Sequence, residues 1–182
     1  MSSSRIVGRT LARSQALQIL FQAEACGRSV DDVLAGDYVL SEGPFDEFGE
    51  RLARGTAEHL AELDRVLGMV ASNWSTSRMP AVDRNLLRLS LYELLYVDEV
   101  ATAVVISECV ELAKAYGTDE SSRFVNGVLG RIASDLDAGV DVVERARQHD
   151  VAEAQAAQDA IHGSDDPQGF ASGSAADSAE AE

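Results

Sequence analysis

Residues 122–134 read SRFVNGVLGRIAS, and their apolar positions decide the fold. Phe124, Val125, Val128, Leu129 and Ile132 recur mostly at three- and four-residue steps. That spacing gathers them into one stripe of a helix, whereas on a strand they would scatter over both faces. The same stretch carries Asn126, Gly127 and Gly130, all weak helix formers, and Arg123 directly before an aromatic ring. Such a helix needs tertiary packing on its apolar stripe, and its other side is left available for a second role.

The pattern repeats upstream. Residues 9–26, RTLARSQALQILFQAEAC, place Ala12, Ala16, Ile19, Leu20 and Ala23 on one helical face, and Gly27 follows as a stop. Ser29 is set to cap the short segment VDDVLAG, whose Asp31 and Asp32 complement the positive end of the helix dipole. Phe45, Phe48, Leu52, Leu60, Leu63, Leu67, Val70 and Trp74 predict one amphipathic helix of roughly 30 residues. Within it, Gly49, Gly55 and Gly68 offer places where a neighbouring helix can come close. Pro80 suits the first position of the helix AVDRNLLRLSLYELLYV. ATAVVISECVELAKAY (101–116) forms the next helix, and residues 118–122 supply capping side chains for the last, which runs to about residue 136. No strand alternation competes, so the expected fold is all-α, with about seven helices.

Charge divides the chain. The net charge is −16, and eleven of the 31 acids lie from Asp137 onward, beside only two arginines. Residues 1–23 hold Arg5, Arg9 and Arg13 and no acid. The expected organisation is a helical domain over 1–137 and an acidic low-complexity tail over 138–182, with transient helix near 140–160 and disorder beyond. Cys26 and Cys109 form no disulfide or zinc framework, which suits a reducing compartment. With no secretory or membrane-spanning run, a cytoplasmic protein is expected.

An enzyme reading finds little. The three histidines are far apart in sequence, and Cys109 reads as a small core residue with no base beside it. Phosphate loops, zinc-protease and nucleophile-elbow motifs do not occur, and no cofactor or metal is implied. Binding remains. Arg9 and Arg13, four apart, share a helical face. Arg123 and Phe124 could hold a phosphate and stack on an unpaired base. Asn126 either ties down a loop or reads a base edge with its amide.

FVNGVLG (124–130), VDRNLLRLSLYELL (82–95) and ECVELAKAYG (108–117), with the amino-terminal RTLARSQALQILFQ, together resemble the NusB family of bacterial transcription antitermination factors. The resemblance covers roughly residues 5–136. It implies two helical subdomains and RNA binding without catalysis. The implied RNA is the boxA segment of ribosomal RNA leader transcripts, bound together with the small-subunit ribosomal protein NusE in the RNA polymerase antitermination complex. Homodimers are implied for some members when the partner is absent. RNA contact falls on Arg5, Arg9 and Arg13 and on Arg123, Phe124 and Asn126. The partner face falls on Asp83, Arg84, Tyr92 and Glu93. Thr10 and Leu11 stand where the family often has further arginines, so Arg9 and Arg13 are expected to carry most of the first contact. The two basic elements are expected side by side, as one cradle. Two other readings remain. One is an RNA-docking module associated with an rRNA methyltransferase, which would need an α/β cofactor domain with a catalytic cysteine after the helices. The other is a protein-interaction or dimerisation module that does not bind RNA.

Overall fold

The computed structural model describes residues 8–71 and 76–162. Arg5, Trp74 and the tail from 163 onward lie outside them. The described residues form α1 (Gly8–Cys26), α2 (Val30–Ala35), α3 (Glu47–Glu58), α4 (Leu60–Val70), a 3-10 turn (Thr76–Arg78), α5 (Ala81–Tyr96), α6 (Thr102–Tyr116), α7 (Ser121–Asp137) and α8 (Val142–His162). The all-α expectation holds, and no strand occurs among the described residues. α5 is the axis, touching α1 and α3 on one side and α4, α6 and α7 on the other. Its Leu86, Leu87, Leu89 and Leu91 are fully buried. Four leucines inside six residues cover more than one face, as a helix surrounded by neighbours requires.

The expected 30-residue helix is two. At His59 the backbone leaves helical geometry (φ −95°, ψ 9°), and the imidazole stacks on Tyr96 at 4.1 Å. The break lets α3 pack on α1 while α4 turns to α5 and α8. Two of the three glycines mark close approaches. A Cβ on Gly49 would lie 2.6 Å from the Ala12 carbonyl oxygen, and one on Gly55 would overlap the Tyr92 ring. Gly68 meets nothing within 4 Å.

Capping follows the sequence in part. Ser29 Oγ accepts the Asp32 N–H at 3.0 Å, as expected. α7 instead starts at an N-cap, Glu120, that makes no side-chain cap bond, and Ser121 Oγ turns back to accept the Thr118 N–H at 2.8 Å.

Where only transient helix was expected near 140–160, α8 forms over Val142–His162. α8 docks on α4 and α7, burying Val142 and Ala146. Arg147 pairs with Glu62, Arg65 with Asp150 and Arg145 with Asp135. Two small apolar side chains four residues apart suffice to seat the helix, a signal easily lost in an Ala- and Asp-rich composition.

Candidate nucleic-acid interface

Arg9 and Arg13 share a helix and have opposite fates. Arg9 is exposed, pairs with Glu99 at 3.1 Å, and lies 4.8 Å from the centre of the Phe48 ring. Arg51, on α3, shares both contacts, at 3.1 Å and 5.2 Å. Arg9, Arg51 and Phe48 thus form an exposed guanidinium–aromatic patch with a single acid, Glu99, between the cations. Arg13 is 3% exposed. Its Nε and Nη2 donate to the Glu93 carboxylate at 2.8 and 2.5 Å, and Nη1 lies 3.6 Å from Glu108. This guanidinium ties α1 to α5 and α6, and is unavailable to RNA. Arg51 and Phe48 were missed by sequence reasoning, although Phe48 and Arg51 are three apart and so share a helical face.

The second element lies at the start of α7. Arg123 points outward, its side chain 87% exposed, with Glu120 3.7 Å away. Phe124 is half-buried, and Asn126 is exposed rather than tied to a loop. Beside Asn126, a Cβ on Gly127 or Gly130 would meet nothing within 4 Å, so this face is bare and open. Arg123 and Phe124 line a cavity of about 340 Å³ with Pro80, Asp83, Thr118, Glu120 and Ser121. Asp83 is 3% exposed, and its Oδ1 has no hydrogen-bond partner among the described residues.

The two elements do not form the expected joint cradle. Arg123 and Phe124 share their cavity with Pro80 and Asp83, at the start of α5. Arg9 reaches Glu99, just beyond the end of α5. Their separation is about the length of α5, 16 residues, or roughly 24 Å.

Beside the second element, at the start of α5, runs an apolar groove lined by Leu17, Phe21, Val39, Val82 and Tyr116. Phe21 and Tyr116 are part-exposed, and Val39 is 75% exposed. The groove is built by glutamines of α1. Gln22 Nε2 donates to the Val39 carbonyl at 2.9 Å while its Oε1 accepts the Val39 N–H at 3.0 Å. Gln18 Oε1 accepts the Ser41 N–H. Gln15, fully buried, donates to the carbonyls of Glu42 and Pro44 and accepts the Asp46 N–H. An exposed valine is thereby held in a fixed place.

Of the residues expected at the partner face, Asp83 borders the groove end through its neighbour Val82. Arg84 donates to Glu24 and to the Met79 carbonyl. Tyr92 lies over Gly55 and against Tyr96. Glu93 is 1% exposed and serves Arg13, so it is a core anion and not a surface contact. Cys109 is a core residue, and burial pushes its thiol up to about 12, away from nucleophilic use. No helix among the described residues is long and apolar enough to cross a membrane.

The described residues form a helical body that presents two exposed guanidinium–aromatic patches and an apolar groove. Residues 10–134 match the NusB family. The chain is 50% identical over 128 residues to the transcription antitermination protein NusB of Salinispora arenicola, covering 69% of this chain and 94% of that protein. The corresponding protein of Thermobifida fusca is 44% identical over 133 residues, 72% of this chain and 94% of that one. A T. maritima NusB structure superposes with a TM-score of 0.63 at 34% identity, over 72% of this chain and 94% of that chain. A structure of the antitermination factors NusB and NusE in complex with dsRNA gives 0.58 at 26% identity, over 68% and 94%. The chain belongs to the NusB family, whose role is RNA-binding transcription antitermination and not catalysis.

Proposed function

We propose that the chain binds boxA-type RNA of ribosomal RNA leader transcripts together with the ribosomal protein NusE, and so promotes processive rRNA transcription. One observation carries the reading: the match to NusB proteins runs through the whole helical body from residue 10 to 134. In this reading the phosphates meet Arg9 and Arg51 over Phe48 at one end, and Arg123, Phe124 and Asn126 at the other. A span of roughly 24 Å corresponds to about seven nucleotides at helical spacing of 3.4 Å. Arg5 joins the first contact, and Arg13 acts only from within, by holding α1 in place. NusE seats its apolar residues on Phe21, Val39 and Tyr116 and a cation at Asp83. The acidic body steers this basic partner toward the groove.

Titration of labelled boxA-type RNA, with and without NusE at two salt concentrations, tests the proposal. Binding should be sequence-dependent and stronger with NusE. Replacing Arg9 and Arg51 by alanine should lower the slope of log affinity against log salt by about 1–2. Equal binding of a scrambled RNA, with NusE present, would overturn the boxA assignment.

A further inference from the structure

We infer that Asp83 gates RNA: its unpaired carboxylate repels phosphate from the Arg123–Phe124 cavity until a cationic side chain of the protein partner seats on it. The inference rests on the proposed function and adds how the two ligands are coupled. Three neighbouring acids already have guanidinium partners. Glu93 holds Arg13, Asp64 holds Arg88 at 2.6 Å, and Glu24 holds Arg84 and Arg88. Asp83 Oδ1 has no donor among the described residues, and the side chain is 3% exposed, so solvent ions screen it weakly. Its place in the first turn of α5, where the helix dipole favours an anion, explains how the fold tolerates it.

The cavity's charged side chains are Asp83, Glu120 and Arg123, two acids against one cation. A phosphate brings only acceptors and more negative charge, so it cannot satisfy Asp83. An arginine or lysine can. The apolar groove that would position such a residue includes Val82, adjacent in sequence to Asp83. Once a guanidinium is seated, the cavity carries two cations against two acids, and Arg123 and Phe124 become usable by a nucleotide. The coupling is reciprocal: RNA that favours the neutralised cavity must strengthen partner binding by the same factor.

Asp83→Asn removes the charge with little change in shape. In the lone chain, its affinity for the boxA-type RNA should rise roughly threefold to tenfold at low salt, with the gain shrinking at high salt. Affinity for NusE should fall, and the factor by which NusE stimulates RNA binding should shrink. Asp83→Glu, which keeps the charge, should keep low lone-chain affinity. Thermal melting accompanies each variant, and Asp83→Ser offers a second uncharged side chain if the amide does not fit. An unchanged RNA affinity in the lone uncharged variants overturns the gate while leaving antitermination standing. A weakened RNA affinity also overturns it, and would mean that Asp83 accepts a base amino group instead. If the wild-type chain with NusE does not retain boxA-type RNA, the functional reading falls and the gate falls with it.

Discussion

At the scale of the residue, two arginines one helical turn apart illustrate the limit of pattern reading. Nothing local distinguishes Arg9 from Arg13; the difference is Glu93, 80 positions away in sequence, which draws Arg13 inside. Removing one member of a buried pair leaves an uncompensated charge. Arg13→Ala should therefore cost about 3–5 kcal/mol of stability, read as a lowered denaturant midpoint. Arg9→Ala, whose pair with Glu99 is half-exposed on both sides, should stay within about 0.5 kcal/mol of wild type and weaken RNA binding instead. Equal destabilisation by the two substitutions would contradict the burial assigned to Arg13. The apolar residues were easier to read. Val125, Val128, Leu129 and Ile132 are buried as their spacing required, because helical period and core-facing stripe express one geometry.

At the scale of the element, helix identity was legible and helix boundaries were less so. The break at His59 depends on a ring stack with Tyr96, a contact across 37 positions that no local signal encodes. α8 was underrated because two buried side chains and three ion pairs hold it, with no long apolar run. Truncation after Asp141 should remove the burial of Val142 and Ala146 and cost about 2–4 kcal/mol, lowering the melting temperature by several degrees. Melting of the truncated chain at the temperature of the full chain would show that α8 contributes no packing. The junction of α1 and α5 adds a pH dependence. The hydrogen bond from Arg84, aided by Asn85 and Arg88, holds the Glu24 carboxyl below its ordinary value despite partial burial. A depressed carboxyl stabilises the fold above the unfolded value near ~4.3, and that stability is lost as pH falls through the folded value. Glu24→Gln should lower stability at neutral pH and flatten its decline on acidification, as measured by denaturation at several pH values. A decline as steep as that of wild type would remove Glu24 from the acid response.

At the scale of the whole molecule, three surfaces are arranged along α5. One end presents Arg9 and Arg51 over Phe48, the other Arg123, Phe124 and Asn126, with an apolar groove beside the second. The sequence reading named residues of both guanidinium patches, but placed them together, because helix order does not show which end of α5 each one reaches. It missed the groove, whose Val39 is presented by the α1 glutamines and would otherwise read as loop. Arg9 and Arg51 lie apart from the groove, so direct contact with the protein partner can be removed without touching that guanidinium pair. Phe21 is part-exposed in the groove and lies twelve residues along α1 from Arg9, so Phe21→Asp should leave the melting temperature within a degree or two. It should weaken NusE binding at least tenfold, because an anion then replaces an apolar contact at the centre of the proposed interface. Arg9→Ala should do the reverse, retaining NusE and losing RNA. Calorimetry with NusE alone, then RNA titration of each preformed complex, distinguishes the two. If Phe21→Asp bound NusE as wild type does, the partner would have to sit elsewhere. The acidic body would then steer it to a face other than the groove at the start of α5.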